Sequence, residues 1–305
     1  MKNFILLLFT LYSLLTNLYC WCSDIVSSSD FILKQTVSAR SLATGDSFTG
    51  LADDITAISY NPSGLNNLNE KEVGTMYAKG ISDICYGFIG IAIPVQNNKC
   101  RFGLSAKFLD AGEIEINYID GITETVKSEQ DFLYTFSFAT KLFNSSVNFG
   151  ININYLVNTL AEKYTYYSYS SDIGLLTEIP VNENNLGIGI CLQNIRIKFD
   201  NDTNDNFPLV TRLGLNYNIT IDKKTINLLS DIIYSNEFEK WKINTGLEFW
   251  LTEKVAFRTG YRIGYTLDSI TFGTGLKLNN LKIDFGLALL RVYTSNFRIS
   301  FIYSF

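Results

Sequence analysis

The last ten residues, NFRISFIYSF (residues 296–305), decide the fold class of this 305-residue chain. Phe297, Ile299, Phe301, Tyr303 and Phe305 occupy every second position, and most of the residues between them are polar. Because side chains along a strand point alternately to its two faces, this period of two predicts a β-strand with one apolar face. A strand of this kind ends the chain, so a sheet extends to the C-terminus.

The same alternation recurs upstream through most of the chain. Fourteen segments fit it: 72–79, 84–94, 101–109, 132–141, 146–156, 164–180, 185–194, 208–219, 225–235, 241–251, 255–265, 269–279, 281–290 and 297–305. Many have the length of about 9–11 residues that a tilted strand needs to cross a membrane, whereas soluble strands average about 5–6. We predict an all-β fold, a transmembrane antiparallel β-barrel of about fourteen strands; a secreted soluble β-protein is the alternative.

The predicted connections alternate between short and long, as those of a membrane barrel do. With both termini on the periplasmic side, the short polar turns face the periplasm, and the loops at 110–131 and 196–207 are external. The region 156–183 fits either one protruding strand or two short ones.

Composition excludes several classes of function. The chain has no histidine, which removes the commonest general base and metal ligand. Cys85, Cys100 and Cys191 form a sparse, odd set without metal-ligand spacing. A net charge of −5 argues against a nucleic-acid partner. We therefore predict no catalytic residues, no cofactor, no metal site and no nucleic-acid partner.

Residues 1–22 have the pattern of a secretory signal peptide: a basic start at Lys2, an apolar run and small residues near a cleavage site after Cys22. An uncleaved membrane anchor and a lipidated Cys20 are the alternatives. The mature protein is thus expected outside the cytoplasm.

The polar face of the predicted barrel carries charges of both signs. These lumen-facing residues are Arg212, Lys242, Glu248, Arg258, Arg262, Lys277, Lys282, Asp284 and Arg298. Since no ring of a single sign is visible, a mutually paired interior is favoured over a selectivity lining for ions. Many glycines share this face, and fourteen strands enclose more space than side chains alone fill. Something else is expected to occupy the lumen.

The segment ARSLATGDSFTGLADDITAISYNPSGL (residues 39–65) differs from the strands in its small residues, adjacent carboxylates and Asn-Pro turn. It resembles the N-terminal signature of the FadL-like outer-membrane proteins, most closely their PorV/PorQ branch. The matching positions are Ala39, Arg40, Leu42, Gly45, Ala52, Asp53, Asp54, Ala57, Asn61, Pro62, Gly64 and Leu65. The departures are Ala43, Thr44, Gly50 and Ser63.

This resemblance implies a bacterial outer-membrane barrel at 71–305 with an N-terminal plug or hatch at 23–70. The hatch motif is Arg40, Gly45, Asp53, Asp54, Asn61, Pro62 and Gly64. The final strand ending in Phe305 resembles the C-terminal signature that the barrel-assembly machinery reads. The other implied partners are outer-membrane lipid and either hydrophobic small molecules or secretion-system proteins.

The two branches of the family imply two functions. One is passive transport of hydrophobic compounds, and the other is a secretion-associated outer-membrane component. A structural, adhesive or antigenic surface barrel without transport is the alternative. Within the hatch, Asp53 and Asp54 are candidates to pair with Arg258, Arg262 or Arg298, and "DDITAISYNPSGL" is expected to form a short acid-capped helix before Pro62. The sequence is compatible with both a fixed plug and a moving gate.

Overall fold

The computed structural model describes residues 31–80, 84–95, 99–142, 146–197, 208–222, 224–236, 240–265, 269–290 and 295–305. The predicted signal peptide at 1–22, Cys20 and most of the predicted loop at 196–207 lie outside these residues. In the described ranges, no helix has the length and apolar character needed to span a membrane.

Fourteen antiparallel strands form a closed barrel, as the sequence predicted. The first strand pairs with both the second and the last, and Glu72 lies opposite Ser304. The strands in chain order are β1 Glu72–Lys79, β2 Cys85–Val95, β3 Cys100–Asp110, β4 Glu113–Asn117, β5 Thr123–Lys127, β6 Glu129–Lys141, β7 Val147–Leu160, β8 Tyr164–Val181, β9 Asn184–Arg196, β10 Val210–Ile221, β11 Lys224–Ser235, β12 Lys240–Trp250, β13 Val255–Ile263, β14 Ser269–Leu278, β15 Leu281–Leu290 and β16 Ser295–Ser304. All except β4 and β5 belong to the barrel.

Strands β4 and β5 form a separate two-stranded hairpin within the connection that was predicted as a loop at 110–131. The region 156–183 contains the single long strand β8 rather than two short ones. At 18 residues, β8 is longer than the roughly 9–11 residues that cross a membrane, so one of its ends extends into water. The hairpin and this end of β8 define the long-loop end of the barrel; the opposite, short-turn end carries the start of β1 and Phe305.

The outer face of the barrel is apolar. Phe257, Phe272 and Phe285 are 44–48% exposed, whereas the residues that alternate with them, such as Arg258 and Asp284, are buried inside. An apolar exterior over a polar interior is the pattern of a transmembrane β-barrel.

The N-terminal segment contains two short α-helices, α1 Phe31–Lys34 and α2 Ala39–Ala43, followed by two 3₁₀ helices, Ile55–Ser59 and Pro62–Asn67. The Ser38 hydroxyl caps α2, and the Asp54 carboxylate caps the first 3₁₀ helix by accepting from the amide of Thr56. Asn61 caps the second, which begins at Pro62. The expected acid-capped helix before Pro62 is therefore present, but it is a 3₁₀ helix.

This segment touches inward-facing groups of strands around the whole barrel. The amide of Ala39 donates to Ser300 on β16, the amides of Phe48 and Thr49 donate to Asp231 on β11, and the Asn61 side chain donates to a carbonyl of β8. Nearly all of its residues from 36 to 66 are buried. The segment consequently lies in the lumen.

Candidate functional site in the barrel lumen

Arg40 forms ion pairs both within the N-terminal segment and with the barrel wall. Helix α2 directs its guanidinium between two carboxylates of the same segment, with Nη1 2.6 Å from Asp53 Oδ1 and 3.0 Å from Asp54 Oδ2. On the other side, Nε lies 2.8 Å from Glu248 Oε2 on β12. Arg40 therefore shares its charge among three carboxylates, two from the segment and one from the barrel.

Glu248 continues this charge network along the wall. Its Oε2 also accepts from Arg258 Nε at 2.6 Å, and Arg258 Nη1 lies 2.7 Å from Asp284 Oδ1. The carboxylates Asp53 and Asp54 thus pair with Arg40 of their own segment, not with the barrel arginines that the sequence offered as candidates. The ion pair between the segment and the barrel instead joins a cation of the segment, Arg40, to an acid of the wall, Glu248.

The other charges that were predicted to face the lumen have separate partners. Arg262 Nε donates to Ser269 at 2.7 Å, and Arg298 Nη2 donates to Tyr86 at 2.8 Å. Arg212 Nε donates to Gln193 at 2.8 Å, and Lys282 lies 3.3 Å from Glu72. Lys242 lies over the ring of Tyr265. Lys277 is exposed at the short-turn end, so it lies at the mouth of the lumen rather than within it.

A cleft of about 370 Å³ opens at the short-turn end and reaches the charge network. Arg40, Asp53, Trp250, Lys277 and Lys282 are among the residues that line it. In the described part of the chain, no group of three or more acidic or cysteine side chains is arranged to hold a metal ion.

Two hatch-motif residues make contacts that hold the segment in a tight path. Asn61 Nδ2 donates to the carbonyls of Thr49 at 3.2 Å and of Leu175 on β8 at 3.0 Å. Gly45 has a φ of +69°, a conformation that favours glycine, and a Cβ there would lie 2.6 Å from the carbonyl oxygen of Thr245.

A band of inward-facing glycines surrounds the segment. We call it the glycine belt: Gly74, Gly103, Gly150, Gly174, Gly187, Gly189, Gly214, Gly246, Gly260, Gly273 and Gly286. A Cβ at any of these positions would meet an atom of the N-terminal segment closer than 3.0 Å, and at most of them that atom belongs to the backbone. The sequence indicated that lumenal glycines leave room, but only the structure shows that the segment fills it.

A cluster of apolar side chains lies among the polar residues of the lumen, mostly in the half near the long loops. Inward-facing Met76, Ala78, Tyr86, Phe88, Leu109, Leu133, Leu156 and Leu229 form one buried cluster with Ile32, Val37, Phe48, Leu51 and Tyr60 of the segment. Phe31 and Leu33 of α1 pack against it. We call the barrel part of this cluster the apolar chamber. The sequence analysis did not predict this chamber. The pattern that could have indicated it is a large apolar residue at an inward-facing position whose neighbours on the same face are polar.

No protein-family model and no curated protein matches the sequence. Among solved structures, the Ralstonia pickettii toluene transporter TbuX aligns over 90% of this chain and 100% of its own, with a TM-score of 0.59 and 12% identity. The P. putida toluene transporter TodX aligns over 90% and 99%, with a TM-score of 0.61 and 12% identity. A Pseudomonas aeruginosa FadL homologue aligns over 89% and 99%, with a TM-score of 0.57 and 10% identity. The fold of this chain is therefore similar to that of the FadL-type outer-membrane barrels.

Proposed function

We propose that this protein is an outer-membrane channel for hydrophobic small molecules and not an enzyme. The observation that carries the proposal is the apolar chamber within the lumen of a transmembrane barrel. Lumens of water-filled porins are polar, because they conduct hydrated solutes. The apolar side chains of the chamber instead favour solutes that leave water readily. The structures of similar fold include proteins described as toluene transporters and monoaromatic hydrocarbon channels, which agrees with this assignment.

The N-terminal segment is proposed to be the plug of this channel, as the hatch motif implies. Its backbone from Ala39 to Ser63 sits against the glycine belt, which opposes displacement of this part as a unit. Helix α1 lies outside the belt, and its side chains Phe31, Ile32 and Leu33 pack in or against the chamber cluster. We infer that α1 is the part that gives way to a ligand while the belt-bound part stays fixed.

Two finer assignments are proposed from sequence patterns: the basic and apolar start of residues 1–22, and the resemblance of the terminal strand to the C-terminal signature of bacterial outer-membrane barrels. Residues 1–22 are proposed as a removed signal peptide, and the terminal strand as the signal for barrel assembly. The ring of Phe305 is half exposed on the outer face and stacks on Tyr303 at 6.0 Å. Removing Phe305 is expected to lower the yield of heat-modifiable barrel without changing the amount of chain made.

A surface-adhesive role is the second candidate, and the β4–β5 hairpin favours it. Its tip exposes three large apolar side chains, those of Tyr118, Ile119 and Ile122. The hairpin is not part of the barrel wall, so the lipid contact that explains exposed apolar residues on the wall does not explain these. The secretion-associated role rests on the resemblance of the hatch motif alone. Binding of purified protein to host-cell or matrix surfaces, lost when the hairpin tip is made polar, would favour adhesion.

Uptake of labelled toluene by intact cells tests the transport proposal, because the intact outer leaflet is the barrier under study. The protein is produced in a host that lacks channels of this fold. We expect Leu156→Asn, which puts an amide in the apolar chamber, to slow uptake about tenfold, the factor that corresponds to 1.4 kcal/mol. Ser105→Ala is the control, because this inward-facing hydroxyl of β3 makes no hydrogen bond to the described residues. Equal uptake by cells with and without the protein would refute the channel.

A further inference from the structure

Two acidic side chains lie next to each other on the inner face of β6, near its long-loop end. Asp131 is completely buried and Glu129 is 9% exposed. Asn158 lies directly opposite Asp131 on β7, and its Nδ2 donates to Glu129 Oε1 at 2.8 Å and to Asp131 Oδ1 at 2.6 Å. A single amide therefore bridges two buried carboxyl groups.

These carboxyl groups differ from Glu248 and Asp284, the buried acids of the charge network. Glu248 and Asp284 each lie within 3 Å of an arginine, whereas no lysine or arginine of the described residues forms an ion pair with Glu129 or Asp131. Asp131 Oδ2 is buried and has no hydrogen-bond partner among the described residues. Because burial without a partner is unfavourable for a charged or polar group, a ligand that supplies a positive charge and donors would be stabilised here.

The pair borders the apolar chamber. Leu109 lies opposite Asp131 on β3, Leu133 is the next inward residue of β6, and Leu156 lies opposite Leu133 on β7. All three leucines belong to the chamber. The inward-facing Lys107 of β3 lies directly opposite Leu133, so a ligand held by the carboxyl pair would place its remaining atoms among these leucines and beside this lysine.

We propose that Glu129 and Asp131 bind the ammonium group of an amine-bearing hydrocarbon whose apolar part occupies the chamber. An ammonium carries three donors, enough to reach Asp131 Oδ2 and Glu129 while Asn158 retains its own bonds. Charge-assisted hydrogen bonds of this kind are stronger than neutral ones. The inference rests on the proposed channel function and narrows its ligands to apolar molecules with a protonated amine.

Three ligands of similar size separate charge from apolar contact: benzylamine, toluene and benzoate. Binding is measured by calorimetric titration of the full-length mature protein in detergent, with empty micelles as the blank. We expect the wild-type protein to bind benzylamine at least about tenfold more tightly than toluene, and benzoate most weakly. Asp131→Asn is expected to reduce benzylamine binding to the level of toluene and to leave toluene binding unchanged.

Glu129→Gln provides the same test if Asp131→Asn fails to assemble, and Glu115→Gln on the exposed hairpin is the matched control. Benzylamine binding that survives both lumenal variants, or no preference for benzylamine over toluene in the wild-type protein, overturns the amine site and leaves the channel standing. If none of the three ligands binds, the channel proposal fails together with the amine site.

Discussion

Gly50 of the N-terminal segment and Gly214 of β10 face each other, and alanine at either position tests whether the glycine belt holds this segment, the proposed plug, in place. A Cβ on Gly214 would lie 2.5 Å from the amide nitrogen of Gly50. A Cβ on Gly50 would lie 2.8 Å from the carbonyl carbon and oxygen of Gly214. Ordinary contact begins near 3.4 Å, so one backbone must retreat by about 0.6–0.9 Å. Strand β10 resists this movement because it is hydrogen-bonded to β9 and β11 along most of its length.

Overpacking of this kind destabilises by about 1–3 kcal/mol. In the equilibrium between the seated and the released plug, that is roughly a 5- to 150-fold shift toward release. The two positions are in contact, so we expect the effects of the double variant not to add. Gly80→Ala after β1 is the control, since a Cβ there would meet nothing closer than 3.3 Å and its nearest neighbours, Ile84 and Tyr86, belong to the barrel.

The release equilibrium is read from thiol labelling. Ser41, completely buried in α2, is changed to cysteine in a background without native cysteines, and a small thiol reagent is added to the folded barrel. Gly50→Ala and Gly214→Ala are expected to accelerate labelling roughly 5- to 150-fold, and Gly80→Ala to change it less than about twofold. Labelling of both alanine variants at the wild-type rate would refute the belt as the device that seats the plug.

Two further results are expected. Glu248→Gln leaves two buried guanidinium groups without a shared anion, which should destabilise the seated plug by about 3–5 kcal/mol and open the Ser41→Cys thiol; unchanged labelling would contradict this. In the hairpin, hydrogen bonding from Tyr118 and the charge of Lys163 lower the pKa of Glu124, and Tyr118 and Glu124 raise the pKa of Lys163. The charged Glu124 carboxylate stabilises the Glu124–Lys163 contact above its ordinary pKa, and the Lys163 ammonium stabilises it below its ordinary pKa. A spin label on the hairpin should therefore become mobile as the pH falls through the lowered pKa of Glu124 and as it rises through the raised pKa of Lys163. A label whose mobility does not change at either extreme would contradict this.

The barrel strands were predictable because their signal is local. A strand that faces lipid on one side and a packed lumen on the other must alternate, and the ten residues that end the chain show this without any tertiary information. Because the prediction depended on this local alternation, it did not include the β4–β5 hairpin. Its strands have five residues each, and most of their side chains are exposed, so no apolar face marks them.

The hatch charges show where prediction from sequence stopped. Arg40, Asp53 and Asp54 were identified by their motif, but the pairing of the two acids with Arg40 depends on how α2 and the first 3₁₀ helix fold back on each other. Arg258 was a candidate partner for them and instead binds Glu248 and Asp284. The sequence shows which charged residues face the lumen, whereas the distances between them in the closed barrel determine which residues form ion pairs.

By itself, the sequence determined the strand number, the apolar exterior, the acidic glycine-rich segment and the exclusion of histidine chemistry. Each of these depends on composition or on residues within one strand. The tertiary structure decided what lies across the barrel: the glycine belt against the backbone of the N-terminal segment, the Arg40–Glu248 ion pair, the apolar chamber and the bridged pair Glu129–Asp131. These contacts join residues from distant strands or from opposite ends of the chain, and closure of fourteen strands around one segment is what brings them together.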